Sequence, residues 1–143
     1  MVDVSEKQVT RRSAKASCEI EMEAATLLRI KENGFSKGNV IEVARLAGIM
    51  ATKRTSDIIP LCHPLMIDSA EVDFEFLNET TVKVTSVVAA TDRTGVEMEA
   101  LTAVSAAGLV VYDMCKSVDR SMKVNNIQLE EKTGGKSGDF RRG

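Results

Sequence analysis

Residues Asp57 to Met66 read D-I-I-P-L-C-H-P-L-M. They hold both prolines of the chain, Pro60 and Pro64, its only histidine, His63, and one of its three cysteines, Cys62. A proline ring fixes its own φ and pushes the preceding residue towards extended backbone, so Ile59 and His63 are both restricted. The pattern predicts a stiff, non-helical segment that presents Leu61, Cys62 and His63 in fixed directions. An imidazole is the usual side chain for proton transfer near neutral pH; the plainer reading is a packed, hydrogen-bonded histidine with no chemistry.

Other polar groups occur where a core pattern does not ask for them. Glu97 and Glu99 flank Met98 in T-G-V-E-M-E-A, at the start of a long apolar run. Acidic residues in a first helical turn also suit the helix dipole, by about 0.3–1 kcal/mol each. Asp113 and Lys116, in Y-D-M-C-K near the end of the same run, are three residues apart. That spacing puts them on one helix face as a surface pair or as an acid/base couple. Lys37 falls in the first turn of another expected helix, where a cation opposes the dipole: an ordinary solvated lysine, or a functional one. Arg11 and Arg12 could reach a phosphate if the N-terminal arm docks on a partner. Gly135-Lys136-Ser137 superficially resembles a phosphate loop. That motif needs a glycine where Glu130 stands, and a following helix, so it is rejected. The glycine-rich backbone with Lys132 and Lys136 still suits an anion-binding nest; otherwise it is a loose tail.

The elements that must position these groups follow from periodicity. Residues 1–13 are polar and read as an arm. Ala14 to Met22 alternates as a half-buried strand. Glu23 to Asn33 carries Leu27, Leu28 and Ile30 at helical spacing, with Gly34 as the stop. Ser36 serves as N-cap of a helix from Lys37 to Ala51, with Val40, Val43, Ala44, Ala47 and Met50 on its apolar side. Ser69 to Leu77 and Thr81 to Ala89 read as an antiparallel hairpin, with Phe74 and Phe76 on its core face. Val96 to Lys116 is the longest helix. Its small, apolar middle (Ala100, Ala103, Ala106, Ala107, Gly108) is apolar on most sides, which predicts burial, in part by a second subunit. Met122 to Leu129 supplies a last strand, and residues 130–143 form a glycine-rich basic tail. The order predicts one domain over residues 1–143: an α+β sandwich, one antiparallel sheet with helices on one face.

Composition narrows the function classes. The net charge of −2 gives no electrostatic reason to expect nucleic acid, and 3% aromatic residues leave little for base stacking. No run of 18 or more apolar residues and no secretory signal appears, so no membrane partner is expected and the chain reads as cytoplasmic. Cys18, Cys62 and Cys115 are widely spaced with no C-x-x-C pair, so neither a disulfide framework nor a metal site is indicated.

Taken together, K-R-T-x-D-I-I-P-L-C-H-P-L, T-G-V-E-M-E-A-L-T-A, Y-D-M-C-K and K-x-G-G-K-S-G-D, in this order and spacing, resemble the cyclic pyranopterin monophosphate synthase family of molybdenum cofactor biosynthesis. The resemblance runs from Met1-Val2-Asp3-Val4 to Asp139. It implies a ferredoxin-like subunit in a homohexamer, a trimer of dimers, with the active site at the dimer interface. It implies conversion of 3′,8-cyclo-7,8-dihydroguanosine triphosphate to cyclic pyranopterin monophosphate with release of diphosphate and no redox cofactor. By resemblance, Leu61, Cys62, His63, Met98 and Glu99 contact substrate, with Glu97 beside them. Asp113 is the catalytic aspartate, with its lysine at Lys116. Lys37 is the other functional lysine, and Arg12 is the phosphate-contacting arginine of the arm. One departure stands at Asn39, where the family pattern carries an aspartate.

Glu99 and Asp113 are 14 residues apart, about 21 Å along one continuous helix. One compact centre cannot touch both, so a site using both is expected to be shared between two chains packed about a two-fold axis. The rival from another class is a non-catalytic ferredoxin-like module for nucleotide or RNA, with Phe74 and Phe76 as its only aromatic platform.

Overall fold

The computed structural model describes residues 1–143. The elements run β1 (Thr10–Glu21), α1 (Ala24–Lys31), α2 (Val40–Thr52), α3 (Thr55–Ile58), β2 (Ser69–Phe76), β3 (Thr81–Asp92), α4 (Glu97–Cys115), β4 (Lys123–Thr133) and β5 (Phe140–Arg141). The strands form one sheet in the order β2-β3-β1-β4-β5, and every neighbouring pair is antiparallel. A β–α–β–β–α–β chain path with this central order is the ferredoxin-like α+β topology, as expected, with β5 added at one edge.

The inward residues of β1, Ala14, Ala16, Cys18 and Ile20, are buried and alternate at the strand period. They meet α4 through Ala100, Ala103, Val104, Ala107 and Val111. Helix α2 lies against α4, and Gly48 lets the backbones close: a Cβ there would sit 3.0 Å from the Ala103 carbonyl oxygen and 3.1 Å from Val72 Cγ2. Most of the apolar circumference of α4 is therefore covered by its own chain, and Leu109 remains exposed. The expectation that a second subunit covers the helix narrows to that remaining stripe.

Several boundaries differ from the sequence reading. The arm is shorter than 1–13, because Thr10 to Ser13 pair with Ala89 to Asp92. Helix α2 begins at Val40, not Lys37. The side chain of Asn39, not Ser36, accepts the Glu42 N–H at 3.0 Å as N-cap. Asparagine and aspartate cap helices about equally well, so the departure at Asn39 keeps the capping function. Lys37 consequently lies in the preceding turn, clear of the helix dipole. The proline-framed segment opens with a short helix: Asp57 and Ile58 belong to α3, and Pro60 ends it with Ile59 extended (φ −97°, ψ 102°). The last strand continues four residues beyond Leu129. Phe74 packs against the edge of the core as expected, whereas Phe76 does not. Phe74 is half-buried beneath the Arg45 guanidinium, and Phe76, the last residue of the outermost strand, is exposed beneath Lys31 Nζ. Cations occupy both rings, and the aromatic platform of the rival reading is not open.

One buried polar group anchors the chain entering α1. The Asp119 carboxylate accepts from the Glu23 N–H (2.8 Å), Thr26 Oγ1 (3.0 Å), the Ser121 N–H (3.0 Å) and Ser121 Oγ (2.7 Å). Burial raises its pKa, but these hydrogen bonds outweigh burial and hold it below its ordinary 3.8. A carboxyl depressed by folding stabilises the fold above the unfolded-state pKa, and that contribution is lost as pH falls through the folded value. Asp119→Ala is expected to cost about 1–3 kcal/mol, the range for stranding buried donors. Thermal melts below about pH 4 should drop less steeply in Asp119→Asn than in the parent; equal slopes would exclude this role.

Candidate active site

At the C-terminal end of α4, Asp113 sits between two lysines. Lys116, the C-cap residue of α4, donates to Asp113 Oδ1 at 2.7 Å. Lys37, from the turn before α2, donates to Oδ2 at 3.1 Å and to the Asp113 carbonyl oxygen at 3.4 Å. Two cations on one carboxylate, 76 residues apart in sequence for Lys37, form because the packing of α2 on α4 brings the α2 entry beside the end of α4. The hydrogen bond from Lys116, then that from Lys37, holds the Asp113 carboxyl below its ordinary 3.8. All three side chains are more than half exposed. Exposed ion pairs stabilise a fold little, so the cluster is poorly explained as a structural device and well suited to a proton donor whose charge a neighbouring carboxylate balances.

At the opposite end of α4, the proline-framed segment forms one wall of a cleft of about 340 Å³. Its lining includes Leu61, Cys62, His63, Glu97 and Met98, and residues Val2, Val4 and Lys7 of the arm close it. Glu99 does not line this cleft. It is fully buried behind Cys62, whose Sγ lies 3.7 Å from Glu99 Oε1, and its Oε2 has no hydrogen-bond partner. Burial raises the Glu99 pKa above its ordinary 4.5. Burial, followed by the charge of Glu99, raises the Cys62 thiol above 9.0. A thiol that favours its neutral form suits hydrogen bonding to a ligand better than nucleophilic attack, and the Glu99 carboxyl stands behind it.

Beside this cleft, and sharing Lys7 with it, is a second of about 950 Å³ with no hydrophobic residue in its wall; Arg12, Lys7, Gly135, Lys136 and Ser137 form much of that wall. Arg12 is buried and pinned: its Nε donates to the Asp92 carbonyl oxygen at 3.2 Å and its Nη2 to that of Arg93 at 3.3 Å. Arg11 points to the other side of the strand and is exposed, which separates the two arginines that the sequence leaves adjacent. Gly134 and Gly135 have φ of 87° and 84°, and a Cβ on either would collide with the Arg11 backbone or the Arg12 guanidinium. Only glycine lets the turn close over this pair. Lys132 donates to Ser137 Oγ at 2.8 Å and pairs with Glu97 at 3.3 Å. The tail is thus a folded turn that carries cations to the cleft.

The structure brings the sequence candidates together in two sets. Asp113, Lys116 and Lys37 form one. Leu61, Cys62, His63, Glu97, Met98 and Glu99, with Arg12, Lys132 and Lys136 beside them, form the other. The continuous helix keeps the sets at its two ends. Lys7 was missed: the arm has no periodicity, and only its fold over both clefts singles it out. The carbonyls of Asp92 and Arg93 were also missed, since backbone partners leave no residue-type signal. No three His, Cys, Asp or Glu side chains converge as a metal site.

Fold and site together describe a ferredoxin-like α+β protein whose converging groups are cations and proton-transfer side chains, the equipment of an enzyme for an anionic small molecule. A family model described as the MoaC family matches residues 1–135. The cyclic pyranopterin monophosphate synthase of Brevibacillus brevis is 55% identical over 143 residues, covering 100% of this chain and 89% of that protein. That of Parvibaculum lavamentivorans is 58% identical over 142 residues, covering 99% and 89%. Cyclic pyranopterin monophosphate synthase 1 of Mycobacterium bovis is 54% identical over 142 residues, covering 99% and 84%. The chain belongs to the MoaC family.

In a carboxyl-detected NMR titration, Asp113 is expected to titrate below 3.8. Lys116→Ala should raise its midpoint more than Lys37→Ala does. A midpoint at or above the ordinary value in the parent would mean that the two lysines do not hold the carboxylate in solution.

Proposed function

We infer that this chain is a cyclic pyranopterin monophosphate synthase of molybdenum cofactor biosynthesis, one domain over residues 1–143. It converts 3′,8-cyclo-7,8-dihydroguanosine 5′-triphosphate to cyclic pyranopterin monophosphate and diphosphate. The observation that carries this reading for the chain's own residues is the Asp113 carboxylate bridged by Lys116 and Lys37, in a chain of this family. The chemistry opens a fused ring system, rebuilds it as a pyranopterin and closes a cyclic phosphate. In the last step a hydroxyl oxygen attacks the α-phosphorus, the bond from that phosphorus to the diphosphate oxygen breaks, and the hydroxyl proton passes to a base. Proton transfers and charge stabilisation suffice, and the reading uses no metal or redox cofactor.

Lys116 and Lys37 are the acid/base groups, and Asp113 balances their charge and sets which proton each can give. Arg12, Lys132 and Lys136 cradle the phosphates and stabilise the leaving diphosphate. Leu61, Cys62, His63 and Met98 bind the purine-derived portion, with Glu97 beside them; Glu99, assigned to the same role by resemblance, acts from behind Cys62. Because one helix holds the two sets about 21 Å apart, from Glu99 to Asp113, the site is shared: one chain supplies Asp113, Lys116 and Lys37, and its neighbour supplies the His63 end. Two-fold dimers of this kind assemble into a homohexamer in the cytoplasm. Helix α4 has the length and composition to span a membrane, yet half of that stretch is buried in its own fold, as in a core helix.

Lys116→Ala, Asp113→Ala and Lys37→Ala should each lower kcat by at least about 100-fold, the low end for lost acid/base catalysis. The assay supplies the labile cyclised GTP intermediate by coupled generation and reads diphosphate and the oxidised pterin. Near-parental turnover in Lys116→Ala would remove the mechanism. Mixing inactive His63→Ala and Lys116→Ala chains should restore activity, because a mixed dimer rebuilds one intact site of its two. Absent activity despite demonstrated subunit exchange would refute the shared site.

A further inference from the structure

Lys132 is the most enclosed of the lysines in the ion pairs of this chain, and it is already occupied. Its ammonium lies 3.3 Å from Glu97 Oε1, with side-chain exposures of 18% for Lys132 and 30% for Glu97. It also donates to Ser137 Oγ at 2.8 Å. One ammonium therefore links β4, the glycine-rich turn and the first turn of α4. Around it, Lys7, Arg12 and Lys136 face the neighbouring cleft. None of these three makes an ion pair within 4.0 Å.

The Glu97 carboxylate is placed for a second environment. It folds back over Gly95, where a Cβ would collide with it, and it belongs to the first turn of α4, whose N-cap residue Val96 supplies no side-chain cap. A carboxylate in a first turn is stabilised by the helix dipole whether or not a lysine is present. Released from Lys132, Glu97 keeps a favourable position; Lys132 without Glu97 keeps only a neutral hydroxyl.

We propose that Glu97 is not a substrate ligand but an internal counter-ion that stands where a phosphate of the ligand will stand on Lys132, and so weakens phosphate binding. The assignment rests on the phosphate-cradling role given to Lys132 in the reading above. In the free chain the carboxylate neutralises Lys132 and holds the turn folded on α4. A diphosphate group carries more charge and more acceptor oxygens than one carboxylate, so it displaces Glu97, which remains over the α4 N-terminus. When diphosphate leaves, Glu97 returns. The exchange lowers affinity for diphosphate, the leaving group of the reaction, and thereby favours its release. The specificity consequence is that a monophosphate, with less charge than diphosphate, displaces Glu97 less completely.

The test is calorimetric titration of the full-length chain with inorganic diphosphate. Glu97→Gln is expected to tighten binding by about fivefold, the order of one competing ion pair. Glu97→Asp, which keeps the charge but shortens the reach to Lys132, should tighten it in the same direction and guards against a folding defect in either variant. Lys132→Ala should weaken binding by about tenfold, as for loss of a charge-assisted contact. In Lys132→Ala the additional Glu97→Gln change should give no gain. Weaker or unchanged binding in Glu97→Gln and Glu97→Asp would overturn the proposal and leave Glu97 as a residue that merely orients Lys132. A gain in Glu97→Gln that persists without Lys132 would overturn it too. Turnover of the cyclised intermediate is measured separately. Turnover without the expected order of diphosphate affinities removes the counter-ion and leaves the synthase reading intact; the expected order without turnover does the reverse.

Discussion

The packing of α4 between the sheet and α2 is the constraint from which the site geometry follows. A 19-residue helix is a rod of about 28 Å, and close-packed interiors do not let such a rod bend or slide freely. Gly48 against Ala103 brings the two helix backbones together, and Ser86 Oγ donates to the Ala100 carbonyl oxygen at 2.7 Å in the core. With α4 held in this way, its two ends have fixed surroundings. One end receives Lys37 from the entry to α2. The other receives the proline-framed segment, the N-terminal arm and the glycine-rich turn.

The two ends differ in physical character, and the difference matches a division of labour. At the Asp113 end the groups are exposed, oppositely charged and paired. At the Glu99 end a buried carboxyl and a half-buried thiol are shifted towards their neutral forms, while beside them a polar cleft carries an excess of cations. Neutral hydrogen-bonding groups suit a ring system, and unpaired cations suit phosphates. In the proposed function a ligand with a heterocycle at one end and a phosphate chain at the other lies along these clefts, and the Asp113 cluster comes from a second copy.

Much of this was legible in the sequence. The alternation in β1, β2 and β3 and the 3.6-residue pattern of α4 are set by which side chains must avoid water, so the α+β architecture followed from periodicity. Pro60 and Pro64 restrict backbone through their own rings, which is local, and the extended geometry of Ile59 followed. The site residues were named by residue type and spacing and by resemblance to a family. Asp113 with Lys116 needed only helical spacing, because three residues along a helix is a local distance.

What only the tertiary structure decided is everything that joins residues far apart in the chain. Lys37 reaches Asp113 because two helices pack, and no local rule contains that contact. Asn39 won the cap from Ser36, since the helix begins where Val40 first enters the core, and that depends on the partner surface. Phe76 was misplaced because alternation assigns a face but not whether another element covers it. Lys7 and the carbonyls that pin Arg12 carried no residue-type signal at all. The pairing of Lys132 with Glu97 required the last strand, the glycine turn and the start of α4 to meet in space. Periodicity and ring constraints act within a few residues and can be read from the chain; juxtaposition of charges depends on packing across it, and only the fold supplies that.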